Sequence, residues 1–262
     1  MKIGYIQFFP SFGEKEENFH KIEKLSKGLS ADLIVLPELF ATGYTFVSKN
    51  EAKNLAETTN EETFEFMEQL SLEKNAVVVG GFVERKGKKI YNSSMVVFKD
   101  KLIGTYQKLH LFNKEKLWFS PGESKLRVFE INNMKIGVMI CFDWIFPEAA
   151  RSLALQGAEI IAHPSNLVLP YCQNAMKIRC LENRVFAVTA NRIGQEKRGE
   201  DEFNFTGQSQ ITSYDGKILS KAPKDESFVQ VMDIDISKVH DKKLNAYNDL
   251  FDDRTPKFYT LD

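Results

Sequence analysis

The segment Ala31-Asp32-Leu33-Ile34-Val35-Leu36-Pro37-Glu38 has a counterpart later in the chain, Ala158-Glu159-Ile160-Ile161-Ala162-His163-Pro164-Ser165. Each is a short apolar run stopped by proline. Without polar alternation, such a run reads as a strand buried on both faces, as in the interior of a parallel sheet. The same order of elements recurs around both copies. In the first half it is a strand over 2–8, a helix within 16–29, a strand over 33–36, a helix within 61–74, and strands over 76–83, 91–98 and 102–107. In the second it is a strand over 135–140, a helix over 147–156 opened by Pro147, a strand over 160–163, a helix over 171–183, and strands over 186–191, 208–212, 218–220 and 228–234. Arg85-Lys86-Gly87-Lys88, Lys99-Asp100-Lys101 and Tyr214-Asp215-Gly216-Lys217 are the hairpin turns.

Two β-α-β-α-β-β halves, each with helices on one sheet face, bury their remaining faces against one another. The fold class expected is therefore α/β, a four-layer α-β-β-α sandwich. No linker or low-complexity segment interrupts it, which favours one domain over 1–262. Within the C-terminal extension, 237–262, a helix is expected over 238–244. The charged remainder carries Tyr247, Leu250, Phe251, Phe258 and Tyr259, apolar groups a free tail does not need. We expect it to dock on the body or at a subunit interface.

The 35 basic and 36 acidic residues nearly cancel, so no basic excess points to nucleic acid or an anionic membrane. The chain opens directly on a strand, without a cationic, long-apolar leader, and a cytoplasmic location is expected. Cys141, Cys172 and Cys180 show no metal-type spacing, so neither a disulfide framework nor a metal site is expected.

Cys141 follows the apolar strand of Ile136-Gly137-Val138-Met139-Ile140, and Phe146-Pro147-Glu148 opens a helix shortly after. That is a strand-to-helix elbow, where one side chain is pushed out of the sheet end beside free backbone N–H groups. Alone, Cys141 reads equally as a small buried hydrophobe. A thiol nucleophile needs a base and a positive charge nearby. Among the histidines, His110 or His163 would have to serve a Cys-His arrangement, since His20 and His240 sit in surface-like stretches. The carboxylate alternative is Glu38 in Leu36-Pro37-Glu38-Leu39-Phe40, at the same kind of sheet edge. A carboxylate among apolar groups is suited to take the thiol proton and return it to a leaving amine; its ordinary reading is a capping or ion-paired residue. Lys108 in Tyr106-Gln107-Lys108-Leu109-His110-Leu111-Phe112 supplies a cation in mostly apolar company, although most lysines are simply solvated.

Together, LPELF around Glu38, YQKLHLF around Lys108 and GVMICFDWIFPEAAR around Cys141 resemble the three catalytic signatures of the nitrilase (carbon-nitrogen hydrolase) superfamily, closest to its amidase-like branch. The likeness extends to Ala162-His163-Pro164-Ser165-Asn166 and Leu181-Glu182-Asn183-Arg184-Val185. It implies the same four-layer fold and assembly as a homodimer or higher homo-oligomer, with the helix over 171–183 and the tail at the contact. It also implies that Cys141 is the acyl acceptor, Glu38 the general base and acid, and Lys108 the oxyanion donor together with the Phe142 backbone N–H. Glu115 matches a second glutamate of the family that orients the lysine or the amide, unless it is a surface charge beside Lys114 and Lys116. The implied reaction hydrolyses a small amide through a thioester and uses no metal or cofactor.

Trp144, Asn166, Tyr44 and Phe142 are the candidate substrate contacts; Trp118, Phe119, Ser165 and Tyr171 lie in comparable loops. True nitrilases carry tryptophan-glutamate after the cysteine, where this chain has Phe142-Asp143, so amides are preferred to nitriles. N-carbamoyl amines of the carbamoylputrescine type remain an alternative, needing an acidic group for a distal ammonium. A different class is a non-enzymatic thiol switch, with Cys141 oxidised or paired with Cys172 or Cys180.

Overall fold

The computed structural model describes residues 1–260. In chain order its elements are β1 (Lys2–Gln7), α1 (Lys15–Ser26), β2 (Leu33–Val35), α2 (Lys49–Leu55), α3 (Glu62–Lys74), β3 (Val77–Lys86), β4 (Lys89–Phe98), β5 (Lys101–Gln107), α4 (Glu115–Trp118), β6 (Val128–Ile131), β7 (Met134–Val138), α5 (Pro147–Leu155), β8 (Ile160–Pro164), α6 (Cys172–Asn183), β9 (Phe186–Ala190), β10 (Gln195–Arg198), β11 (Asp201–Asn204), β12 (Gln210–Thr212), β13 (Ile218–Lys221) and β14 (Phe228–Asp233). Short 3₁₀ turns lie at Cys141–Ile145, Ile236–Val239 and Pro256–Phe258.

Two six-stranded sheets form, ordered β14-β1-β2-β3-β4-β5 and β13-β12-β9-β8-β7-β6. The period-2 alternation of a strand divides their side chains. Leu33, Val35, Val77 and Val79 belong to the core shared with Val138, Ala162 and Val188 of the other sheet. Their neighbours Ile34, Leu36 and Val78 pack with Ile22 of α1 and Phe66, Met67 and Leu70 of α3. On the second sheet α5 lies so close that a Cβ on Gly137 would meet Leu153 at 2.9 Å. The layers run α-β-β-α, as the internal repeat predicts.

The repeat differs from its simplest form at one strand. Segment 228–234, expected to complete the second half, forms β14 and pairs antiparallel with β1 in the first sheet. It closes that sheet as β6 closes the second by pairing antiparallel with β7. Both satisfy backbone groups that an edge would leave open. The crossing is pinned by Gln7, whose Nε2 donates to the carbonyls of Pro223 and Glu226 at 2.7 and 2.9 Å.

The helix expected over 238–244 is absent. Asp235 accepts from the Ser237 N–H and hydroxyl, and Asp241 accepts from the Lys243 N–H. Such local side-chain bonds compete with helix propagation. Lys242 instead donates to the carbonyls of Asn183 and Arg184 at the end of α6, 3.0 and 2.9 Å away. In the tail, Phe251 packs on the body beneath Arg151 and Lys242, whereas Tyr247 and Phe258 are largely exposed. Leu261 and Asp262, the end of the extension, lie outside the described residues. Among the described residues no helix is long and apolar enough to cross a membrane.

Candidate active site

Cys141 starts the turn after β7 with φ +43°, a left-handed conformation that costs a side-chain-bearing residue about 1–2 kcal/mol. Two buried groups hold it there. His163 Nε2 donates to the Cys141 carbonyl at 2.9 Å, while its Nδ1 accepts from Thr189 Oγ1 at 3.1 Å. Burial pushes the His163 pKa down and keeps the imidazole neutral, so these two bonds set its tautomer. Asp143 Oδ2 accepts from the Ile140 N–H and from the Tyr106 hydroxyl, both at 2.8 Å, while Oδ1 pairs with His110 Nδ1 at 2.7 Å. The elbow is thereby tied to the end of β5. Both histidines of the Cys-His alternative are engaged elsewhere: His163 on the cysteine's own backbone, His110 on Asp143 and stacked on Phe146 at 3.7 Å.

Glu38 follows the end of β2, and the next residue, Leu39, also has a positive φ, +48°. Its loop lies directly on β3: a Cβ on Gly81 would come within 2.5 Å of Leu39 N and 2.7 Å of Glu38 Cα. Only glycine permits that approach. Lys108, immediately after β5, has its N–H on the Asn92 carbonyl at 2.9 Å and its side chain fully buried. Glu115 begins α4.

These three side chains form one cluster. Lys108 Nζ lies 2.7 Å from Glu38 Oε1 and 2.8 Å from Glu115 Oε1. Asn92 Nδ2 donates to the same Glu38 oxygen at 2.7 Å. Glu38 Oε2 is buried and, among the described residues, has no hydrogen-bond partner. Leaving a buried acceptor unmatched costs about 1–3 kcal/mol, which calls for a reason. Glu115 is fixed from both sides, by the Tyr44 hydroxyl on Oε1 at 2.7 Å and the Phe112 N–H on Oε2 at 3.2 Å.

The electrostatics follow from burial and this packing. Burial works against the Lys108 charge, but Glu115 and Glu38 outweigh it and hold the ammonium pKa well above the lysine range. Burial raises the Glu115 pKa, with Lys108 opposing. Burial, then Glu38, push the Cys141 thiol well above its ordinary value, while Lys108 and the Asn166 backbone N–H pull it down. Cys141 therefore rests as a thiol, not as the thiolate a nearby cation would favour alone. Cys172 and Cys180 are free, buried and likewise pushed up.

A recess over Cys141 is lined by Phe112, Phe142, Trp144, Asn166, Leu167, Val168 and Leu169 and encloses only about 10 Å³. Its lining contains no charged side chain. Three of the expected contacts, Phe142, Trp144 and Asn166, stand on this wall, and Asn166 Nδ2 also holds the Glu38 carbonyl at 2.9 Å. Tyr44 does not. Its hydroxyl is committed to Glu115, and its ring lines a separate recess with Trp118 and Phe203. Ser165 is buried against His163, and Tyr171 is exposed at the start of α6. A cavity of about 700 Å³ between α5 and the tail shares no lining residue with the cluster.

Sequence reasoning missed Asn92 and underused Asp143 and His163. A signal was present for Asn92 and Asp143. Asn92-Ser93-Ser94 places polar groups within a central strand, where they require partners, and Asp143 follows the elbow cysteine by two residues, within reach of its backbone.

Residues 2–243 match the model of the carbon-nitrogen hydrolase family. A protein of Pyrococcus abyssi named nitrilase is 46% identical over 263 residues, with 99% of each chain covered. An N-carbamoylputrescine amidase of Solanum tuberosum is 32% identical, covering 88% of this chain and 83% of its own length. A carbon-nitrogen hydrolase structure from Helicobacter pylori superposes with a TM-score of 0.82 at 26% identity, covering 92% of this chain and 91% of that one. The Nit3 structure from Saccharomyces cerevisiae, described as a member of the nitrilase superfamily, gives 0.79 at 26% identity, with 92% of each chain covered. The chain thus belongs to the carbon-nitrogen hydrolase family, in the nitrilase superfamily.

Proposed function

We propose that this chain hydrolyses the carbon-nitrogen bond of a small linear amide with an apolar acyl group, through a thioester on Cys141. The observation that carries this reading is the buried Glu38-Lys108-Glu115 cluster beside a cysteine held at positive φ, with one Glu38 oxygen tied to two donors and the other unmatched. Cys141 Sγ attacks the carbonyl carbon as Glu38 takes the thiol proton. The oxygen becomes an oxyanion, stabilised by Lys108 and the Phe142 N–H. Collapse breaks the C–N bond, and Glu38 returns the proton to the departing ammonia. Water then attacks the thioester, Glu38 takes its proton, and the carboxylic acid leaves as the thiol re-forms. Glu115 keeps Lys108 charged and in place. No step uses a metal or cofactor.

The wall of Phe112, Phe142, Trp144, Leu167, Val168 and Leu169 carries no charge, which supports an uncharged acyl group. It offers nothing to the distal ammonium of an N-carbamoyl diamine, the activity named in the potato relative. The name of the Pyrococcus abyssi relative supports a second reading, in which a nitrile is the substrate of the same thiol. A thiol switch leaves the Glu38-Lys108-Glu115 cluster unaccounted for, and burial disfavours the thiolate at Cys172 and Cys180, the partners it would need. We also take 1–262 as one hydrolase domain that acts in the cytoplasm and assembles as a homodimer through the exposed apolar groups of α6 and the tail, among them Ile178, Leu181 and Tyr247. An ammonia-release screen over butyramide, phenylacetamide, glutaramate, N-carbamoylputrescine and butyronitrile tests the substrate class. Turnover of the two uncharged amides above all others is expected; turnover confined to charged substrates or to the nitrile would overturn it.

A further inference from the structure

The β10–β11 hairpin interrupts the second half of the repeat, and its packing converges on Glu115. Glu196 on β10 is buried, and its Oε2 accepts from the Tyr44 N–H at 3.2 Å, the Thr45 N–H at 2.7 Å and the Thr45 hydroxyl at 2.5 Å. Two residues on, Arg198 donates to the Thr45 carbonyl at 2.8 Å and pairs with Glu51 at 2.6 Å. Glu196 is itself anchored by Arg192, which is fully buried, donates to Glu196 Oε1 at 3.2 Å and stacks on Phe205 at 4.0 Å. On β11, Asp201 receives Lys114 Nζ at 2.7 Å, next to Glu115. Phe203 meets the Tyr44 ring edge-on at 5.7 Å. The hairpin thus grips both sides of the Tyr44–Glu115 hydrogen bond, the loop that carries the tyrosine and the turn that carries the glutamate.

We propose that the β10–β11 hairpin positions Glu115 for the reaction, with Glu196 as its principal residue and Tyr44 as the group through which Glu196 acts. The proposal rests on reading Lys108 and Glu115 as a working pair in amide hydrolysis. Three donors converging on one Glu196 oxygen fix the backbone at Tyr44. That places the phenol on the Glu115 oxygen that also receives Lys108. Without this second donor Glu115 keeps only Lys108 on Oε1 and the Phe112 N–H on Oε2, at 2.8 and 3.2 Å, and the carboxylate that holds Lys108 beside Glu38 is less firmly placed. Glu196 touches no reacting atom; it is a positioning residue.

The test is a double-mutant cycle of Tyr44→Phe and Glu196→Ala, read as kcat and KM for butyramide and as the pH profile of Cys141 alkylation by iodoacetamide. Each single variant is expected to lower kcat by about tenfold, the scale of one hydrogen bond to a charged group, with little change in KM. The double variant should fall no further than the weaker single. Tyr44 favours the ionised form of Glu115, so both singles should move the alkylation profile by the same amount and in the same direction, and the double no further. Losses that multiply, or a lowered unfolding temperature with an unmoved profile, would overturn the proposal. If Glu196→Ala does not fold, Thr45→Val, which removes one donor, enters the same cycle and is judged by the same outcomes. A parent protein inert toward butyramide would defeat the functional reading alone, because the alkylation cycle decides the positioning without turnover.

Discussion

Lys108 Nζ and Glu38 Oε1 lie 2.7 Å apart with both side chains fully buried, and the same Glu38 oxygen takes the Asn92 amide. One carboxylate oxygen is therefore committed to holding the cation, and Oε2 remains to accept a proton. In Glu38→Gln, turnover should fall about 10²–10⁴-fold, the usual contribution of a general base. The thiol should respond in the opposite sense: Glu38 holds the Cys141 pKa up, so its neutralisation lowers that pKa. Iodoacetamide should then alkylate Cys141 faster at neutral pH in the variant that has lost turnover. An alkylation rate left unchanged by the substitution would show that Glu38 does not face the thiol.

Lys108→Met leaves two buried carboxylates without their cation. Removing one partner of a buried pair costs about 3–5 kcal/mol, and uptake of a proton by Glu115 returns part of it. Thermal unfolding at pH 5 and pH 8 should show the larger loss at pH 8, where protonation is harder, together with loss of ammonia release at both. Equal losses at the two pH values would contradict the charge assignment.

The positive φ of Cys141 allows a test of backbone strain that needs no substrate. Cys141→Gly should unfold at a higher temperature than Cys141→Ala, by about 0.5–1 kcal/mol, since relief of left-handed strain exceeds glycine's entropy cost. The reverse order would argue that the elbow is relaxed.

Alkaline pH should destabilise the fold. The Cys141, Cys172 and Cys180 thiols are raised in the folded protein above the ordinary value of 9.0. Above that pH the unfolded chain releases protons that the folded one retains. Stability is thus fully present below about pH 9 and declines as pH rises toward the folded values. Urea midpoints between pH 8 and pH 10.5 check this, and Cys172→Ala should flatten the decline.

If the recess over Cys141 accepts the acyl group, Val168→Asp should depress butyramide turnover and favour an acyl chain ending in an ammonium, such as 5-aminopentanamide. An unchanged ratio of the two rates would place the acyl group elsewhere.

Much of this arrangement is legible in the chain because its signals are local. The apolar runs 33–36 and 160–163 and the turns at Gly87 and Gly216 mark the layers, and an elbow cysteine and a glutamate following Pro37 mark the sheet end where they meet. What escapes is set by tertiary partners. Segment 228–234 reads as a strand, but only the open edge of β1 decides that it joins the first sheet. Tyr44 lies in a loop beside the cluster, and nothing in Thr42-Gly43-Tyr44 says its hydroxyl is reserved for Glu115, because Glu196 fixes that from the far side of the sequence. His163 attracts attention as a possible base, yet its donor points at a backbone carbonyl whose orientation depends on the unusual φ of Cys141.

The most direct test of the central claim is acid-quenched intact-mass analysis of the protein mixed with butyramide, followed by peptide mapping. The account predicts a butyryl adduct on Cys141 alone, discharged by hydroxylamine as the hydroxamate and absent from Cys141→Ala, which releases no ammonia. Ammonia release by Cys141→Ala, or an adduct on any other residue with Cys141 free, would contradict it.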